Sequence, residues 1–192
     1  MLEWRLCGVR FRLSLLFPAL VTALLMCQPK GLALSCLLAS LIHEGGHLLA
    51  MMAVGVPPQK CSVGAFGLRL DLGNALVGYG KNLLISFAGP MANGVAAAIL
   101  FWGNQPNAAV VHIVLAGVNL LPASALDGGE ILRCSVCLLG MESLANMVMR
   151  FASALVLLPL ATISLWLYKS NQNPTLCIVS AYLAMLIFFG EK

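Results

Sequence analysis

Charge is what this sequence has least of. Eleven Lys or Arg and seven Asp or Glu make up 9% of its 192 residues, where soluble globular domains carry about 25%. With 60% hydrophobic residues and a mean hydropathy of +0.94, that scarcity excludes a soluble domain of any size. The chain reads as an integral membrane protein, an all-α membrane bundle of about six transmembrane helices at roughly 20 residues per span. Residues 1–192 are expected to form a single domain. Basic clusters are missing too: the Lys and Arg residues are scattered singly, so the net charge of +4 implies no nucleic-acid partner. The seven cysteines are an odd number, and several lie in or beside apolar runs, where Cys behaves as a small buried hydrophobe. No disulfide framework follows, and there is no internal repeat or low-complexity region. The N-terminus has basic residues before an apolar run, but 14–27 leads into another hydrophobic segment without a small-residue cleavage site. It reads as a retained first span rather than a signal peptide.

What is present is a succession of apolar runs: about 13–27, Gly31–Val54, about 82–102, about 108–121, about 151–168 and about 175–189. Between the second and third, residues 57–80 alternate and are broken by glycines, with Gly73-Asn74 as a turn candidate. That pattern predicts a short interfacial β-hairpin near residues 60–79. Residues 130–149 read as amphipathic and helical in part. With six spans, Arg5, Arg10, Arg12, Lys60, Arg69, Lys81, Arg133, Arg150 and Lys192 fall on one side and only Lys30 and Lys169 on the other. The excess of basic residues places both termini, the hairpin and the Asp127 loop on the cytoplasmic side.

The second run carries His43, Glu44 and His47 in its middle. An ionised acid at mid-membrane costs about 2.5–3.5 kcal/mol on insertion scales, so something inside the bundle must compensate it. Residues four apart lie on one face of a helix. His43 and His47 can therefore share one metal ion, with Glu44 alongside as a base for water. Gly45 and Gly46 between them lower helix propensity by about 1 kcal/mol each against alanine, while permitting close approach of a neighbour. A catalytic zinc needs a third protein ligand. The candidates are Asp71, His112, Asp127, Glu130 and Glu142. Asp127 is favoured because it ends the fourth run and precedes Gly128-Gly129, which let the backbone bend a carboxylate inward; its alternative role is an N-cap for a helix beginning near Glu130. His112, two turns before Asn119, reads as packing or hydrogen bonding. Cys134 and Cys137 read as two buried thiols rather than a metal site.

Three stretches together, His43-Glu-Gly-Gly-His47, Phe87-Ala-Gly-Pro-Met-Ala-Asn93 and Asn119-Leu-Leu-Pro-Ala-Ser-Ala-Leu-Asp-Gly-Gly129, resemble the signature stretches of the site-2 protease family of intramembrane metalloproteases. The short layout resembles its stage IV sporulation protein FB branch. The resemblance covers about residues 10–190. It implies zinc held by His43, His47 and Asp127, Glu44 as catalytic base, Asn119 near the substrate or oxyanion, and Gly89, Pro90 and Asn93 shaping the third span. The chain departs in having Gly45 where a bulky residue is usual, and in stopping after the sixth span without a PDZ- or CBS-type domain.

The expected function is a zinc endopeptidase cleaving a membrane-associated protein near the cytoplasmic face, such as a membrane-tethered transcription factor or its regulator. Membrane lipid, and inhibitory or regulatory membrane subunits, are the other expected partners. A transmembrane helix hides its peptide bonds in hydrogen bonds, so a substrate must unwind locally. The strand Lys60–Leu72, with Val63 and Leu68, offers an edge for the extended substrate; the alternative is a purely structural hairpin. A metal transporter would also explain intramembrane His and Asp but leaves Glu44 without a role, and repeat halves are missing. An inactive scaffold is the third reading.

Overall fold

The structure is a computed structural model that describes residues 2–6, 9–13, 30–58, 60–64, 67–71, 77–171 and positions 180, 181 and 184. The runs expected at 13–27 and 175–189 lie almost entirely outside the described residues. Two compact units divide the chain, Met1–Gly117 and Val118–Lys192.

The first unit begins with strands β1 (Leu2–Leu6) and β2 (Val9–Leu13), where the sequence suggested only a basic juxtamembrane segment. They join β3 (Lys60–Gly64) and β4 (Gly67–Asp71) in a four-stranded sheet of order β1-β2-β3-β4. Within it β2 and β3 run parallel, and the other two pairings are antiparallel. The register explains why these short segments find each other. Leu2, Leu13, Val63 and Leu68 share one row across the sheet, and Trp4, Phe11, Cys61 and Leu70 share the row two residues on. The intervening rows hold Glu3, Arg12, Ser62 and Arg69, then Arg5, Arg10, Lys60 and Asp71. Alternate rows belong to one face of a sheet, so the register sorts apolar from charged residues. A slip of one residue would exchange the faces. Five basic residues from the chain's start and from the 60–71 segment thereby meet in one sheet.

Helix α1 (Lys30–Ala53) and helix α2 (Tyr79–Trp102) have 24 residues each, about 36 Å at 1.5 Å per residue. Both contain stretches long and apolar enough to cross a membrane, Gly31–Ala53 and Tyr79–Trp102. Their packing is inside-out relative to a soluble core. Small residues such as Ala33, Ala39 and Ala97 are buried, while Leu41, Leu49, Phe101 and Trp102 lie 67–87% exposed. Association through small residues with large apolar side chains turned outward is the pattern expected in lipid. Gly46 fixes the approach of the two helices: a Cβ there would collide with the Ala88 carbonyl and lie 2.8 Å from the Ala92 Cβ. Gly45 faces nothing within 4 Å. Each helix ends in a Schellman motif. In α1, Gly55 at φ 72 donates to Met52 and Val56 donates to Met51. In α2, Asn104 at φ 58 and Gln105 repeat the arrangement on Phe101 and Leu100. Helix α3 (Pro106–Asn119) has 14 residues, the same length as the run expected at 108–121 and two residues earlier in the chain.

In the second unit, α4 (Asp127–Leu138) covers the first part of the part-helical segment expected at 130–149, and α5 (Glu142–Asn171) joins its second part to the run expected at 151–168 in one helix. A third Schellman turn at Gly140 (φ 78) separates them. The stretch Glu142–Ser170 is the third candidate span. These three stretches support an integral membrane protein. Cys134 and Cys137 are buried thiols on α4, in no disulfide, and the Cys134 Sγ lies 3.5 Å from Glu130 Oε1.

Candidate metal centre

His43 and His47 are one turn apart on α1 and both are buried, at 6% and 8% exposure. Each ring is held from its far side by α2. The His47 Nδ1 lies 2.7 Å from the Ile85 carbonyl oxygen. A carbonyl only accepts, so Nδ1 carries the ring's proton and the Nε2 lone pair is left facing inward. On His43, Nδ1 lies 3.3 Å from the Asn93 side-chain Nδ2. The two Nε2 atoms face one another at 3.2 Å, with the rings edge-on at 84°. Two nitrogens bound tetrahedrally to one zinc at about 2.0–2.1 Å sit roughly 3.3 Å apart. The pair is therefore spaced as two ligands of one ion.

The rings fit because α2 presents no side chain at their level. A Cβ on Gly89 would collide with His47 Nε2, lie 2.6 Å from His47 Cε1 and 2.9 Å from His43 Cε1. Pro90 follows directly, and its missing N–H leaves the helix one hydrogen bond short at this turn. In the sequence Gly89, Pro90 and Asn93 looked like span-shaping residues. In the structure Gly89 opens the space for the imidazoles, and Asn93, fully buried, holds one of them.

Beyond Asn93 stands a residue that the sequence assigns to packing or hydrogen bonding. His112 on α3 is 2% exposed, and its Nδ1 lies 3.0 Å from Asn93 Oδ1. Nothing local in the sequence joins positions 93 and 112, which sit on different helices; the one clue was a histidine inside an apolar run. Glu44 is half-buried, next to His43 in the chain.

The remaining candidates belong to the second unit or to the sheet. Asn119 ends α3 and is half-buried. Asp127 is the first residue of α4, also half-buried. It is not an N-cap: Leu126 takes that position, with no side-chain cap. A carboxylate in the first turn is favoured by the helix dipole. Gly128 and Gly129 act differently from the expectation of a flexible bend, since neither has positive φ. Their missing side chains let the first turn of α4 lie on the preceding segment: a Cβ on Gly128 would strike the Leu120 and Leu121 carbonyls, and one on Gly129 the Ala123 carbonyl. Glu130 is bound to Arg133 through two hydrogen bonds; that pairing holds the guanidinium well above its usual pKa and gives Glu130 a structural role. Val63 lies on β3, which is paired on both sides, and Leu68 on β4, an edge of the sheet.

A buried histidine pair on a membrane-length helix is a candidate metal site within an apolar helical fold. One solved structure it is similar to is the site-2 protease from Methanocaldococcus jannaschii, with a TM-score of 0.69 and 19% sequence identity over 95% of this chain and 91% of that one. At that identity the likeness is one of fold. No protein-family model and no curated protein matches the sequence.

Proposed function

We propose that the chain is an intramembrane zinc endopeptidase of the site-2 protease type. The observation that carries this reading is the His43–His47 pair, buried in a membrane-length helix with its Nε2 atoms 3.2 Å apart and one tautomer pinned by the Ile85 carbonyl. Two imidazoles and the Asp127 carboxylate are a donor set suited to a divalent transition metal, and the fold likeness supports the same assignment. His43, His47 and Asp127 are the proposed ligands. When bound, zinc lowers the pKa of a coordinated water towards about 7 and polarises the scissile carbonyl. Glu44 takes the proton of the attacking water and delivers it to the leaving amine. Asn119 lies near the substrate and hydrogen-bonds the developing oxyanion.

The substrate is a membrane-associated protein unwound near the cytoplasmic face, where the sheet's basic residues also put both termini. A tethered transcription factor or its regulator, as the likeness to the sporulation branch suggests, is the substrate class. The register refines the docking idea: β2 occupies one side of β3, so an extended substrate adds beside β4 at Leu68, while Val63 keeps β4 in place.

Glu44→Gln tests the reading, with bound zinc and cleavage of a membrane-tethered candidate substrate measured together. Retained zinc with cleavage lost supports it. Cleavage at the wild-type rate, or a wild-type protein that binds no zinc, overturns it.

A further inference from the structure

Four hydrogen-bonding contacts run in series through the buried interior of the first unit. His112 Nδ1 meets Asn93 Oδ1 at 3.0 Å, and Asn93 Nδ2 meets His43 Nδ1 at 3.3 Å. His43 Nε2 meets His47 Nε2 at 3.2 Å, and His47 Nδ1 meets the Ile85 carbonyl at 2.7 Å. The last acceptor is fixed, because a carbonyl cannot donate. Working back, His47 carries its proton on Nδ1 and accepts at Nε2. His43 then donates from Nε2 and accepts at Nδ1. Asn93 donates its amide N–H to His43 and accepts from His112 Nδ1–H. Every contact has one donor and one acceptor, all pointing one way, with one proton on each ring.

That arrangement closes His43 to metal, because its Nε2 lone pair is replaced by N–H. A metal at Nε2 requires the proton on Nδ1, where the ring must donate. Asn93 meets this only by turning its amide over, presenting Oδ1 to His43 and Nδ2 to His112. His112 must then accept at Nδ1 and carry its proton on Nε2. Each imidazole still holds one proton, so the two states differ in tautomer and amide orientation alone. Asn93 is wholly buried and His112 nearly so, where an unsatisfied polar group costs about 1–3 kcal/mol. Neither can move without the other.

Resting on the metal-centre reading, we propose that Asn93 and His112 are positioning residues that select the His43 tautomer, and that metal loading reverses the two contacts linking His112, Asn93 and His43 while His47 stays pinned to the Ile85 carbonyl. His112 is thus a reporter of occupancy on a helix that contributes none of the proposed ligands.

The chain contains three histidines, so imidazole ¹⁵N spectra of His-labelled full-length protein in detergent show three rings. With Zn²⁺ as titrant, the expected result is that His112 changes from the Nδ1–H to the Nε2–H pattern as zinc saturates. Zinc binding with His112 unchanged overturns the proposal and leaves the protease reading standing; failure of the wild type to bind zinc takes down both. In variants, His112→Phe is expected to weaken Co²⁺ affinity about 10- to 100-fold, the range for lost outer-shell partners. His112→Gln, whose amide can donate or accept, is expected to recover most of it. Equal affinity in wild type and His112→Phe contradicts the proposal, as does a Gln variant as weak as Phe.

Discussion

Replacing Gly89 with alanine adds one methyl group and aims it at the histidine pair. The new Cβ would lie 2.6 Å from His47 Cε1, where ordinary contact begins at 3.4 Å, so the ring has to retreat by about 0.8 Å or the helices have to part. Metal sites tolerate about 0.2 Å in ligand distance, a quarter of that displacement. Overpacking of this kind costs about 1–3 kcal/mol of stability, and the displaced ligand is expected to reduce zinc affinity by more than tenfold. Equilibrium competition against a chromophoric chelator reads the affinity, and thermal melting in detergent reads the fold. Two controls separate the site from helix packing. Gly45→Ala meets nothing within 4 Å and gains up to about 1 kcal/mol of helix propensity, so zinc binding should be unchanged and stability equal or higher. Gly46→Ala pushes on the Ala88 backbone and should lower stability by separating α1 from α2. A Gly89→Ala protein that binds zinc as tightly as wild type refutes the reasoning.

Removal of metal with a membrane-permeant chelator is expected to abolish cleavage, and added Zn²⁺ to restore it; activity that persists after the measured zinc is gone would contradict the zinc role. Leu68→Pro on the edge strand is expected to slow cleavage with zinc retained, since the proline removes one backbone donor from β4. Val63→Pro, on a strand paired from both sides, should instead disrupt the sheet and lower thermal stability. Equal effects of the two substitutions on both readouts would count against substrate addition at β4.

Much of the site was legible because its signals are local. The four-residue spacing of His43 and His47 within an apolar run identifies one helix face, and α1 and α2 lie where long apolar runs require spans. Sequence reading failed where contacts are distant or segments short. Strands β1 and β2 have five residues each, too few for alternation to stand out beside singly placed arginines. The parallel partner of β2, strand β3, begins at Lys60, and pairing at that separation leaves no local trace. The Asn93–His112 contact is equally invisible. Glycines misled in a particular way: Gly128 and Gly129 suggested backbone freedom, yet they serve close approach at ordinary φ. At Asn104 positive φ falls on a residue other than glycine.

The shortness of α3 has a consequence for the chemistry. Fourteen residues rise about 21 Å, some 9 Å less than a hydrocarbon slab of about 30 Å. As a span, it leaves either a locally thinned bilayer or irregular backbone below the lipid surface. The next residues, 120–126, turn on themselves through Leu121, Ala123 and Leu126 amides. Such backbone persists at that depth only under protein cover or beside water. Where it lies beside water, a short helix followed by this turn would supply the proposed hydrolysis with the one water it consumes per bond cut.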